Sequence, residues 1–177
     1  MKLIPTHFIY LGFTLIEVFF VIIILSILTS LSFTYFSDFL AKNRLDSQIS
    51  LLHKTISLSR LYAIKNSNFI TLCSLHNERC EKDNWHLGVT AFIDNDKSQT
   101  RSASEQIIYT FSQSNPQDTL TYPRTAITFR PDGSVNGLNN GTFLYCPSYK
   151  KASLEGLAIT VSPIGRVRVK STDLCQQ

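Results

Sequence analysis

The N-terminal part of the chain contains its longest apolar run. From Val18 to Ser37, twenty consecutive residues carry no charge. An α-helix rises about 1.5 Å per residue, so this run spans about 30 Å, the thickness of a bilayer's hydrocarbon core. A secretory signal peptide is the alternative, but its apolar region has about 7–15 residues and ends at a small-residue cleavage site. The pattern therefore predicts a transmembrane helix over residues 13–37.

After Asp38 the pattern changes from uniformly apolar to amphipathic. No glycine or proline occurs between Phe13 and Asn68, so nothing in the sequence forces the helix to end at the bilayer. We expect one long helix whose second part, residues 38–68, packs against a sheet. A coiled coil is the alternative, but its flanking charges are poorly placed. The apolar stripe recurs at helical spacing and consists of Leu45, Ile49, Leu52, Ile56 and Ala63, with Ser59 in the same row.

From residue 69 onward, short apolar alternations are separated by turn sequences such as Pro131-Asp132-Gly133. The expected fold class is α+β, with a long N-terminal helix packed on an antiparallel, β-rich globular head formed by residues 69–177. Strand order and register do not follow from the pattern. The predicted strands are residues 69–75, 85–93, 106–111, 126–130, 142–146, 156–161 and 166–170.

Charge is unevenly distributed along the chain. Hydrophobic residues make up 44% of the sequence and charged residues 17%, which excludes a disordered or collagen-like chain. The formal net charge of +4 divides into +3 for residues 1–68, −3 for residues 69–123 and +4 for residues 124–177. The C-terminal third is therefore a basic region beside an acidic one.

The four cysteines allow three disulfide pairings. Proximity favours Cys73 with Cys80 and Cys146 with Cys175, and the N-terminal apolar segment predicts that the head lies outside the cytoplasm, where disulfides form. Neither C-x-x-C nor a histidine pair at ligand spacing occurs, so no zinc site is expected. The sequence also contains no nucleophile elbow and no glycine-rich phosphate loop, so we expect neither an enzyme nor a cofactor.

Residues 94–105 resemble a calcium loop, because oxygen-bearing side chains fall at its positions one, three, five, seven, nine and twelve. The sixth position is Gln99 rather than glycine, and the flanking segments predict strands rather than helices. We therefore favour a polar hairpin loop between Asp94 and Glu105, predict no metal site, and keep calcium binding as the alternative.

A short motif precedes the apolar run. The segment Gly12-Phe13-Thr14-Leu15-Ile16-Glu17 resembles the class III signal of type IV prepilins and type II secretion pseudopilins. The resemblance implies a type IV pilin-like form of the α+β fold. It also implies that a prepilin peptidase cleaves between Gly12 and Phe13, removing the leader of residues 1–12, and that Phe13 is then N-methylated. A carboxylate at membrane depth is costly without a partner. We expect Glu17 to pair with the terminal amine of a neighbouring subunit during assembly, and solvation of its carboxylate in the headgroup layer is the alternative.

Cations alternate with valines near the C-terminus, in Gly165-Arg166-Val167-Arg168-Val169-Lys170. A strand would direct Arg166, Arg168 and Lys170 to one solvated face and both valines to the core. Successive cations would then lie about 6.6–7 Å apart, close to the phosphate spacing along a nucleic acid strand. A solvated strand face or an edge protected by charge is the alternative.

This segment resembles the glycine-arginine-x-arginine motif of FimT/GspH-type minor pilins and pseudopilins. In FimT-like members the motif is implicated in DNA binding, and Gly165, Arg166 and Arg168 match it. We add Lys170, Lys150 and Lys151 as candidate DNA contacts.

The resemblance implies a minor type IV pilin that binds DNA without sequence preference and supports DNA uptake in natural transformation. Its partners would be other pilins or pseudopilins in a filament, the prepilin peptidase and DNA. It would cross the bacterial inner membrane once, with its head in the periplasm, before it joins a filament at the cell surface. The alternative is a structural pseudopilin of a type II secretion system, or a pilus-priming subunit, that does not bind DNA.

Overall fold

The computed structural model describes Gly12 and residues 14–112, 115–148 and 155–175, with the side chains of residues 31–35, 37 and 38 excepted. The described residues form one long helix followed by nine strands, and the chain divides into two compact units, residues 1–39 and 40–177. The elements are α1 (Leu15–Asn66), β1 (Ile70–His76), β2 (Arg79–Glu81), a 3₁₀ turn (Trp85–Leu87), β3 (Val89–Ile93), β4 (Ile107–Phe111), β5 (Thr119–Thr121), β6 (Ala126–Phe129), β7 (Gly141–Cys146), β8 (Gly156–Val161) and β9 (Val167–Thr172).

The first unit holds the beginning of α1. Glu17 lies in its first turn, where the Glu17 amide donates a hydrogen bond to the Thr14 carbonyl oxygen at 3.1 Å. Apolar side chains such as Leu15 and Phe19 are exposed. Among the described residues, no helix is both long and apolar enough to cross a membrane.

In the second unit, the amphipathic part of α1 supplies one side of the hydrophobic core. The stripe predicted from the sequence is buried, and Leu52, Ile56 and Ala63 are completely inaccessible to solvent. Burial of an aliphatic side chain contributes about 1.5–3 kcal/mol, so this stripe holds the helix to the sheets. The helix ends at Asn66, because Ser67 takes a left-handed φ of 53° that an α-helix does not continue.

The first sheet is built around β1. Its strand order is β2-β1-β3-β4, β6 also pairs with β1, and every pairing is antiparallel. In β1, Leu72 stands opposite Ala91 of β3 and Ile127 of β6, and all three side chains are buried. This sheet therefore presents an apolar face to the core.

The second sheet has the order β5-β7-β8-β9, again with antiparallel pairings. Phe143 of β7 stands opposite Ile159 of β8, which stands opposite Val169 of β9. β9 lies at the edge of this sheet. A helix packed on antiparallel sheets confirms the predicted α+β fold class.

The structure differs from the predicted strands in local ways. The segment predicted as a strand from residue 85 begins with the 3₁₀ turn, because the Trp85 ring packs edge-on against Tyr122 and Phe143 at 5.2 and 5.1 Å. The Trp85 Nε1 donates a hydrogen bond to the Arg124 carbonyl oxygen at 3.1 Å. β2 and β5 were not predicted because each has three residues, too few for an alternation to be recognised.

Candidate nucleic-acid interface

The cations predicted to bind DNA lie on and beside the edge strand β9. Arg166 precedes the strand and Arg168 and Lys170 lie within it, and all three side chains are exposed. Arg168 stands opposite Thr160 of β8 and Lys170 stands opposite Ala158, so these two cations occupy the same face of the sheet. The structure thus brings the predicted residues together, whereas Lys150 and Lys151 lie outside the described residues.

Both valines stand on the sheet face opposite Arg168 and Lys170, but they are buried to different extents. Val167 is half-buried, but Val169 remains 43% exposed. Within the residues that the structure describes, β9 is the last strand of its sheet, and no further strand of that part covers the outer side of Val169.

Gly165 forms the tight turn that leads into the basic strand. Its φ is +75°, in the left-handed region that favours glycine. Its amide donates to the Ser162 carbonyl oxygen at 2.8 Å, and the Ser162 amide donates to the Arg166 carbonyl oxygen at 2.9 Å. The Ser162 hydroxyl accepts a hydrogen bond from the Arg166 amide at 3.0 Å. These bonds fix the point at which the cationic segment leaves β8.

Arg60 of α1 connects this turn to the turn between β6 and β7. Its Nε donates to the Gly133 carbonyl oxygen at 2.8 Å, and its Nη2 donates to the Ile164 carbonyl oxygen at 3.3 Å. The Val135 amide donates to the Pro163 carbonyl oxygen at 2.8 Å, which adds a direct backbone contact between the two turns. No local sequence pattern marks Arg60 as a contact residue, because its partners lie 73 and 104 residues away.

The neighbouring β6–β7 turn carries one cation and one anion. Arg130 is exposed, and the Asp132 carboxylate accepts hydrogen bonds from the hydroxyl and the amide of Ser134 at 2.6 and 2.8 Å. The hydrogen bond from the Ser134 hydroxyl lowers the pKa of Asp132 most. The bond from the Ser134 amide lowers it less, and the charge of Arg130 lowers it further. Asp132 is therefore a fixed negative charge near the start of the basic segment.

No ion pair neutralises the cations of the β9 segment within the described residues, where the two ion pairs are Arg44–Asp118 and Arg101–Glu78. Arg166, Arg168 and Lys170 thus present their charge to solvent. Contacts from such side chains to phosphates add electrostatic affinity but carry no base information.

A disulfide bond joins the last residue of β7 to Cys175, three residues after β9 ends. Cys146 pairs with Cys175, and Cys73 pairs with Cys80. Gly156 lies beneath the first of these bonds, since a Cβ atom on Gly156 would come within 2.1 Å of the Cys175 sulfur. The basic strand is therefore fixed by the Gly165 turn at one end and by a covalent bond at the other.

A buried carboxylate joins α1 to the second sheet. The side chain of Asp118 has no solvent exposure and accepts two hydrogen bonds from Arg44, at 3.0 and 3.2 Å, and one from the Tyr145 hydroxyl at 2.7 Å. Burial alone would raise the pKa of Asp118, but hydrogen bonds from Arg44, Ser148 and Tyr145 outweigh it and lower the pKa. This cluster was not predicted, because Arg44 and Asp118 are 74 residues apart, and its role is structural.

The acidic loop at residues 94–105 forms a compact hydrogen-bonded turn. Oxygens of Asp94, Asp96 and Glu105 lie within 4.8 Å of one another. Asp94 is buried and accepts hydrogen bonds from the Thr71 hydroxyl at 2.6 Å and from the amides of Ser98 and Gln99 at 3.0 and 3.3 Å. Burial raises the pKa of Asp94, and the Asp96 carboxylate adds to this effect.

The N-terminal motif is described only in part. Gly12 and Glu17 are exposed, whereas the leader up to residue 11 and Phe13 lie outside the described residues. Cleavage and methylation at Gly12 and Phe13 therefore stay predictions from the sequence.

Comparison with known proteins identifies the family. The family model of the type II transport protein GspH matches residues 48–165, more than half of the chain. The crystal structure of the type IV minor pilin FimU from Pseudomonas aeruginosa (strain PAO1) is similar with a TM-score of 0.56 and 18% identity, over 74% of this chain and 99% of FimU. The minor pseudopilin EpsH from the type 2 secretion system of Vibrio cholerae is similar with a TM-score of 0.51 and 14% identity, over 72% of this chain and 97% of EpsH.

No curated protein sequence matches the chain. At identities of 18% and 14%, the likeness to FimU and EpsH shows a shared fold. The match to the GspH model shows more, because it extends from the amphipathic part of α1 to the glycine of the basic segment. The chain therefore belongs to the GspH family of type IV minor pilins and type II secretion pseudopilins.

Proposed function

We propose that this minor pilin binds DNA without sequence preference through Arg166, Arg168 and Lys170, and that it supports DNA uptake in natural transformation. The observation that carries the proposal is the exposed, unneutralised row of cations on an edge strand that is fixed at both ends. Because the strand backbone is already fixed, only the side chains have to be ordered when the cations contact successive phosphates. Lys150 and Lys151 are candidates to extend it.

The proposal predicts weak binding that depends strongly on salt. Three phosphate contacts give a slope of about −2.7 for the logarithm of the binding constant against the logarithm of the salt concentration. We expect the full-length chain in detergent micelles to raise the fluorescence anisotropy of a labelled duplex. The double variant Arg166→Gln with Arg168→Gln keeps one phosphate contact, so its slope should be about −0.9, which is shallower than that of the wild type.

A matched control removes the same charge elsewhere. Lys42 and Lys54 are exposed on α1, so Lys42→Gln combined with Lys54→Gln changes the net charge equally and should retain the wild-type slope. Equal losses in both double variants would show that only net charge matters. Wild-type binding by the Arg166 and Arg168 variant would refute the assignment of the site.

At the N-terminus, we assign processing to Gly12 and Phe13 by the prepilin peptidase, followed by N-methylation of Phe13. The apolar run of residues 13–37 then anchors the chain in the inner membrane with its head in the periplasm, before the chain joins other pilins or pseudopilins in a filament. Glu17 pairs with a neighbouring subunit's terminal amine. Glu17→Ala should reduce recovery of the chain in sheared filaments while its cellular level stays constant, and unchanged recovery would argue against the pairing.

A structural role without DNA is the second candidate, and the family match favours it, because the matching model describes a type II transport protein. A genetic experiment separates the two candidate functions. If the subunit serves DNA uptake, a deletion strain complemented with the Arg166 and Arg168 double variant should assemble filaments but transform poorly. Normal transformation by that strain would favour the structural role.

A further inference from the structure

The edge of β9 offers unpaired backbone groups to a partner. In the described part of the chain, β9 pairs with β8 and with no other strand. Ser162 and Arg166 form the first hydrogen-bonded pair at the turn between β8 and β9. Along an antiparallel strand, hydrogen-bonded pairs alternate with pairs that are not hydrogen-bonded. The amide and carbonyl groups of Val167, Val169 and Ser171 therefore point away from β8, toward the open edge.

A groove lies beside this edge, between α1 and the second sheet. It has a volume of about 560 Å³ and is lined by Asp46, Ile49, Ser50 and His53 of α1 and by Leu157 and Val169 of the sheet. This volume lies within the range of about 300–1,000 Å³ that is usual for binding pockets. The exposed 43% of Val169 faces this space, so the apolar side of β9 continues into the groove.

The two faces of β9 differ in the side chains that they would accept. On one face stand Arg168 and Lys170, and on the other stand Val167 and Val169. Side chains of adjacent strands that share a face lie about 4.5–5.5 Å apart, and opposite charges there are favourable. An added strand would therefore place acidic side chains beside the cations and apolar side chains in the groove.

We propose that β9 accepts an extended segment of a partner protein, in which acidic and apolar residues alternate, as an additional strand of the second sheet. Such strand addition combines main-chain hydrogen bonds for affinity with alternating side chains for specificity. A second copy of β9 is disfavoured as the partner, because its cations would stand beside Arg168 and Lys170, and like charges at that distance repel.

The test uses two synthetic heptapeptides and the full-length chain in detergent micelles. One peptide alternates glutamate with valine, and the other alternates lysine with valine. We expect the glutamate peptide to bind and to slow amide hydrogen exchange at Val167, Val169 and Ser171 about tenfold or more. The lysine peptide should do neither. A glutamate peptide with methylated amide nitrogens along one edge, which cannot form the ladder, should not bind.

Two variants separate this site from the DNA site. Val169→Pro removes an outward amide while the pairing with β8 is retained, since proline is tolerated on the open side of an edge strand. It should abolish peptide binding, whereas Val169→Thr, which keeps the amide, should bind. Both variants retain Arg166, Arg168 and Lys170, so both should bind DNA as the wild type does, whether that binding is strong or absent.

Several results would overturn the strand-addition proposal. These are equal binding of the glutamate and lysine peptides, binding of the methylated peptide, or peptide binding without slower exchange in β9. Concentration-dependent self-association that protects β9 without peptide would instead identify a second copy as the occupant.

Discussion

Gly165 and Gly133 lie in backbone contact at the start of the basic segment, since a Cβ atom built on Gly165 would come within 2.1 Å of the Gly133 carbonyl oxygen. The same Cβ atom would lie 2.6 Å from Nε of Arg60, which donates to that oxygen. The position of Arg166 thus depends on the close packing of two turns and a helix arginine. This arrangement gives the motif glycine a physical role.

Gly165→Ala should destabilise the protein and displace the basic segment. The substitution forces a side chain into the left-handed region and into a backbone oxygen, so we expect a loss of about 3 kcal/mol in the free energy of unfolding. Urea denaturation measures it. Gly137→Ala is a matched control, because Gly137 has a φ of +62° but no atom of the described residues lies within 4 Å of its Cβ position. Gly137→Ala should lower the free energy of unfolding by about 1 kcal/mol. Equal losses in the two variants would contradict the role of the contact between Gly165 and Gly133.

Arg60→Gln should lower the free energy of unfolding by about 2 kcal/mol, because two carbonyl oxygens lose a charged donor. Arg60→Lys retains the charge but not the planar fork that reaches both oxygens, so it should recover little of this loss. Lys54→Gln, on an exposed site of the same helix, is the control and should change stability by less than about 0.5 kcal/mol. Full recovery by lysine would show that charge alone matters.

Asp118→Asn should cost about 3 kcal/mol at neutral pH, because Arg44 loses its buried partner. The folded-state pKa of Asp118 lies below its ordinary value of 3.8, so its contribution is present above that value and is lost as the pH falls through the lower folded-state pKa. Between about pH 5 and pH 2, the wild type should therefore lose more stability than the variant does. If the wild type and the variant lose stability in parallel over this pH range, a group other than Asp118 dominates the pH dependence.

The exposed ion pair of Arg101 and Glu78 gives a comparison for this effect. The Glu78 side chain is 55% exposed, so Glu78→Gln should cost no more than about 1 kcal/mol. A cost similar to that of Asp118→Asn would contradict the importance of burial.

Removal of the Cys146–Cys175 bond should destabilise the head more than removal of the Cys73–Cys80 bond. The cysteines are 29 residues apart in the first bond and 7 in the second. In the chain-entropy model these loops correspond to about 3.6 and about 2.5 kcal/mol. Thermal unfolding of the two double variants, Cys146→Ser with Cys175→Ser and Cys73→Ser with Cys80→Ser, shows which bond stabilises the head more. The first variant should also show faster hydrogen exchange at Lys170 and Thr172, whose amides face β8, and the reverse order would contradict the loop argument.

The amphipathic part of α1 and the head's strands could be predicted because they depend on local periodicity. Leu52 and Ile56 repeat at helical spacing, and the alternation of Arg168 with Val169 indicates a strand. Trp85 was predicted to lie in a strand, but it begins a 3₁₀ turn, because its contacts with Tyr122 and Phe143 come from segments far along the chain.

The sequence by itself determined the long helix, its buried stripe, the antiparallel head and the row of cations. Each of these follows from the spacing of neighbouring residues. Only the tertiary structure decided that β9 is an edge strand, that Val169 stays exposed, and that Arg60 and Asp118 join distant segments. Arg44 and Asp118 are 74 residues apart, and such contacts depend on strand order and close packing, which no local pattern encodes.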